Sequence, residues 1–153
     1  MSLRARFMED LKTAMKAGQS DRVGTIRMIT AKLKDLDIAG RAKGEDKVSD
    51  DAVIGMLRSM VKSRTESAAM YLQGGRPELA EKEEAEIALI RSYLPADLDE
   101  ETIEAAAREA IERTDATSMK DMGRVMAALK TQFGSALDAA IASSVVKSLL
   151  SAR

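Results

Sequence analysis

Three groups of side chains in this 153-residue chain have the makings of a reactive site. Glu78, Glu81, Glu83, Glu84 and Glu86 crowd one short stretch, and paired carboxylates can act as general acid and base or hold Mg²⁺. Lys82 interrupts them, and Leu79, Ile87, Ile90 and Leu94 recur through the same segment at helical spacing. The plain reading is therefore the solvated face of an amphipathic helix. Ser143, Ser144 and Ser148 offer hydroxyls, but the sequence holds no His and no Cys. The commonest base for activating a serine and the commonest metal ligand are thus missing. Gly74-Gly75-Arg76 precedes a helix start, where an anion can sit, yet it lacks a phosphate-loop pattern and reads as a tight turn. No catalytic, cofactor-binding or metal-binding residue is assigned.

These groups sit on a chain that reads as all-α. Hydrophobic content is 45% and aromatic content only 3%, so Ala, Leu, Ile and the 10 Met must supply the core. That composition suits close helix packing rather than a sheet. The first helix is predicted from about Ser2 to Ala17, with Leu3, Phe7, Leu11 and Ala14 or Met15 inward and Gly18 at its end. Ser20 or Asp21 caps a second helix with Val23, Ile26, Ile29, Leu33 and Leu36 inward, broken by Gly40 and the polar run 41–47. Ser49 opens a third, carrying Ile54, Leu57, Met60, Val61, Ala68, Tyr71 and Leu72. Pro77 starts a fourth, where a missing backbone donor is tolerated and acidic residues complement the helix dipole. Pro95 then stops it.

After a short linker, Asp99 caps a fifth helix with Ile103, Ala106, Ala107, Ala110 and Ile111 inward. Ser118 and Asp121 stand at capping-box spacing before a sixth, with Met122, Val125, Met126 and Leu129 inward. Ser135 and Asp138 repeat that spacing before a seventh containing Ile141, Val145, Val146, Leu149 and Leu150. The expected organisation is a helical bundle of about four helices over 1–94, a linker at 95–98 and a small three-helix domain over 99–153. The start, MSLRARFMEDLK, alternates charge and is no secretory signal. No run approaches a membrane span, so a soluble cytoplasmic protein with no membrane partner is expected.

Several phrases, in order, resemble the YqeY-like family: LRARFMEDLKTAMKAG, TIRMITAKLKDLDI, VKSRTESAAMYLQGGR, GRPELAEKEEAEIALIRSYLP and SMKDMGRVMAAL. The resemblance runs over nearly the whole chain. A related member is the tail domain on the B subunit of the glutamine-dependent aminoacyl-tRNA amidotransferase, a carbon-nitrogen ligase with glutamine as amido-N-donor. The larger domain that performs that chemistry has no counterpart here. What the resemblance implies is an accessory module that binds or docks tRNA, with tRNA and a protein of translation or transamidation as partners. It also implies the same two-part division of the chain. One phrase departs from the family: Gly134-Ser135-Ala136-Leu137-Asp138 stands where many relatives have a Gly-Arg-Ala-Asp-Gly-like turn.

On that reading Lys120 and Arg124, one turn apart, present donors to neighbouring phosphates. Lys130 and Lys147 extend the patch, and Arg153 adds to the positive charge of the segment from Ala116. Arg27 and Lys34, seven apart on one helix face, form a second stripe, with Lys62 and Arg64 nearby. Charge is uneven: residues 1–47 carry 11 basic and 7 acidic side chains, although the whole chain is only −1. Against an RNA role, stacking aromatics are nearly absent. The alternative is a non-catalytic protein-protein adaptor, its Met56, Met60 and Met70 lining a groove for a partner helix.

Overall fold

Ser2, Ser49 and Asp99 each place a side-chain oxygen over the backbone amide three residues on, at 3.2, 3.2 and 2.7 Å, and a helix begins at each. The structure, a computed structural model, describes residues 2–95 and 98–152, the Ser135 side chain excepted. Among them lie seven α-helices and no strand: α1 (Leu3–Lys16), α2 (Ser20–Arg41), α3 (Asp50–Gln73), α4 (Pro77–Arg91), α5 (Glu100–Arg113), α6 (Met122–Phe133) and α7 (Ala139–Ser151). The protein is all-α. Two short 3₁₀ turns, Met119–Asp121 and Gly134–Ala136, flank α6. Ala96 and Asp97 of the expected linker, and Arg153, lie outside the described residues.

Two of the expected helix caps need correction, while the end of α2 falls where expected. Helix α2 starts behind Gln19 with no side-chain cap, so neither Ser20 nor Asp21 caps it. Helix α2 ends at Arg41, within the predicted break, and at Gly40 in its last turn a Cβ would meet Val48 Cγ1 at 3.0 Å. The role of Gly40 is to let the following loop fold back on the helix. The cap of α7 is Asp138, whose carboxylate accepts from the Ala140 and Ile141 amides. Of the alternatives Ala14 and Met15 it is Ala14 that is buried, and some predicted core positions face solvent: Leu72 is more than half exposed and Ile141 is 38% exposed.

Two compact units make up the chain, Met1–Leu94 and Pro95–Arg153. In the first, α1 packs along α2 and α3 along α4. Phe7, Ile29, Leu57 and Ile90 are fully buried between the two hairpins, with Tyr93 close behind. The Tyr93 ring meets Phe7 edge-on, 4.8 Å between centroids, and Arg6 lies 4.9 Å over its face. Its hydroxyl donates to Asp10, and burial is the main cause that raises its pKa, with the Asp10 bond second. In the second unit, Ala106, Ala107 and Ala110 of α5 keep a small profile. Val125, Leu129 and Val146 from α6 and α7 close against them. Among the described residues no helix is long and apolar enough to cross a membrane.

Candidate functional site

A groove of about 910 Å³ opens between α2 and α3. Met28, Ala31, Asp35 and Ala39 recur along α2 at three- and four-residue intervals and so share one face. Ala52, Gly55, Ser59 and Ser63 do the same along α3. Leu36, Met56 and Met60 form the floor, the two methionines only 8% and 5% exposed. Apart from Met28, these wall positions carry short side chains over a floor of flexible, polarisable ones.

Arg64 closes one end. Its Nε donates to Glu86 Oε2 at 2.9 Å, its Nη1 to the Met60 carbonyl at 3.3 Å, and its Nη2 lies 3.6 Å from the Met28 sulfur. Both side chains of the Arg64–Glu86 pair are about 15% exposed, so the pair joins α3 to α4 away from bulk water. Glu86 is therefore a structural anion rather than part of a solvated face. Glu78 at the other end of the acidic run accepts from Arg76 at 2.7 Å, which lowers its pKa. Arg76 of the Gly-Gly-Arg turn is occupied by that bond, and Gly75 supplies the turn with φ +74°.

Of the predicted adaptor methionines, Met56 and Met60 meet in the groove, and Met28 joins them. Met70 does not: it is 71% exposed, nearly three turns further along α3. Of the predicted basic residues, Arg27, Lys34 and Lys62 in the first unit and Lys120, Arg124, Lys130 and Lys147 in the second are exposed. Lys120 stands on the 3₁₀ turn before α6, and Arg124 turns back to Asp121. Asp121 also accepts from the Thr117 and Ser118 amides; these bonds, the Thr117 one foremost, bring its pKa down to about 2. Lys130 follows Arg124 at i+6, which places them about 120° apart around α6. Lys147 is on α7. Arg27 and Lys34 lie on the continuous α2, while Arg64 faces Glu86 instead of joining them.

One arrangement had no local sequence signal. Asp37 accepts two 2.7 Å bonds from the Arg4 guanidinium and a 3.0 Å bond from the Val48 amide, while Arg4 also donates to the Val48 carbonyl at 3.0 Å. The clamp spans 33 and 44 residues of sequence. It holds the Asp37 carboxyl well below the usual carboxylate range, the Arg4 bond first and the Val48 bond second.

Relatives bear on the functional expectations. A protein from Pyrenophora tritici-repentis named "Altered inheritance of mitochondria protein 41, mitochondrial" is 27% identical across 97% of this chain and 81% of its own. A protein of the same name from Clavispora lusitaniae is 34% identical across 92% of this chain and 81% of its own. The namesake from Eremothecium gossypii is 34% identical across 73% of this chain, which spans 57% of that protein's length. These names correct two expectations: they designate mitochondrial proteins and not a tRNA-associated amidotransferase module, and they do not accord with a cytoplasmic assignment. With the model of the "Yqey-like protein" family matching residues 4–150, nearly the whole folded chain, this protein belongs to the YqeY-like family.

Proposed function

We propose that the chain is a non-catalytic adaptor that takes an amphipathic helix of a protein partner into the groove between α2 and α3. The observation that carries this reading is Gly55. It lies inside a 24-residue helix, on the groove wall, with nothing within 4 Å of where a Cβ would stand. An interior helical glycine costs about 1 kcal/mol relative to alanine, and packing within the fold gives no return for it. A partner backbone approaching closely would.

The dimensions suit such a partner. From Met28 to Ala39 the wall runs eleven residues, about 16 Å, which is three turns and room for anchors at i, i+3 or i+4, and i+7. A methionine floor accepts more than one anchor shape. A non-catalytic role is supported by the lack of His and Cys and by the arginines that hold Glu78 and Glu86. Among the described residues, no three acidic side chains are placed to share a metal ion.

The test is a photo-crosslinking residue at Ser59, used in cells with and without Gly55→Trp, which fills the groove from its wall. A protein adduct that disappears in Gly55→Trp, while the melting temperature holds, is the expected result. Adducts with nucleic acid alone, or a protein adduct indifferent to the tryptophan, would end this reading.

A further inference from the structure

We infer a second docking surface, on the opposite side of α2, that takes an acidic peptide segment carrying one bulky apolar anchor. A slot of about 330 Å³ opens between α1 and α2. Its floor is Phe7 and Leu33, both buried, and its lips are Met8 and Ile38, each 52% exposed. An exposed methionine and isoleucine over an apolar floor give a place for one side chain to enter, at the lower end of the size of ligand pockets.

The rim decides the chemistry of the occupant. Lys34, Ile38 and Arg41 follow at i, i+4 and i+7 on α2, so two cations bracket the apolar lip on one face. Lys47 joins them from the loop after α2. The Arg4–Asp37–Val48 clamp fixes its position, because both backbone groups of the next residue are bound. Asp37, the acidic side chain of the slot, is neutralised by its two bonds from Arg4. Lys34 and Lys47 make no ion pair among the described residues. Apolar slot and cationic rim are therefore complementary to an anchor flanked by carboxylates, and the rim charges speed and orient its arrival. The concavity favours a protruding side chain over a flat anionic surface.

This surface is independent of the α2–α3 groove and is tested apart from it. The probe is a fluorescein-labelled 14-residue peptide of Glu and Asp with a single central Leu pair, read by anisotropy against the full chain across a salt series. Its controls replace the Leu pair with Ser, or every acid with Lys. The acidic Leu peptide should bind, weaken with salt, and lose about tenfold when the pair becomes Ser. Ile38→Asp, exposed and so compatible with folding, should cost a similar factor, and Lys34→Glu with Lys47→Glu should cost at least as much. Gly55→Trp should change nothing. Equal binding of the Ser control would reduce the surface to a polyanion site and overturn the inference. So would no binding, preferential binding of tRNA, or preferential binding of anionic vesicles.

Discussion

At the residue scale, two ion pairs do different work. Arg64–Glu86 is largely sheltered and ties α3 to α4 at the end of the groove. Removing one partner leaves the other's charge poorly solvated, so Glu86→Ala should lower unfolding stability by about 1–3 kcal/mol. The apolar double variant Arg64→Met with Glu86→Leu should recover most of it in urea denaturation. Arg4–Asp37 instead sets a pH limit. The folded-state pKa of Asp37 lies below its ordinary 3.8, so its contribution is complete above that value. It is lost as pH falls from there toward the folded pKa. Melting temperature should thus decline on acidification more steeply in the wild type than in Asp37→Asn; parallel curves would show that the clamp contributes nothing.

At the element scale, one substitution should have opposite signs at two glycines. Gly55 sits in a helix with open space beyond it, so Gly55→Ala should raise stability by about 0.5–1 kcal/mol. Gly40 is also helical, but a Cβ there presses on Val48 at 3.0 Å. Val48 has little room to give, since its amide is bound to Asp37 and its carbonyl to Arg4. Gly40→Ala should therefore destabilise by about 1 kcal/mol, as an overpacked contact does. Chemical denaturation of the two variants side by side checks both signs. Equal gains would mean that the loop after α2 is not held as described.

At the scale of the whole molecule, each unit owns a core, and the two cores share no residue. The tyrosines report on only one of them: the two in the chain, Tyr71 and Tyr93, are both in the first unit, and there is no Trp. Leu129→Ala, at a fully buried position of the second core, should cost that unit about 2–5 kcal/mol. Part of the far-ultraviolet circular dichroism should then melt early while the tyrosine signal keeps its midpoint. A joint shift of both signals would show that the units unfold together.

The sequence by itself determined the all-α class, the helices with their Ser49 and Asp99 caps, and most of the two cores. Each of those rests on interactions within about one turn, where periodicity and capping chemistry are written in neighbouring residues. It also placed Met56 and Met60 on a prospective groove, because they share a face of α3. Only the tertiary structure decided that Met28 completes that groove and Met70 stays outside it. It likewise decided that Gly40, in the last turn of α2, serves a close approach to Val48. The Arg4–Asp37–Val48 clamp and the slot beside it were equally invisible in the chain, since they unite residues 33 and 44 positions apart. Arg124 and Arg64, basic in composition, proved to be committed to Asp121 and Glu86. Charge is legible in a sequence, but whether a charge is already paired depends on which carboxylate the fold brings within reach.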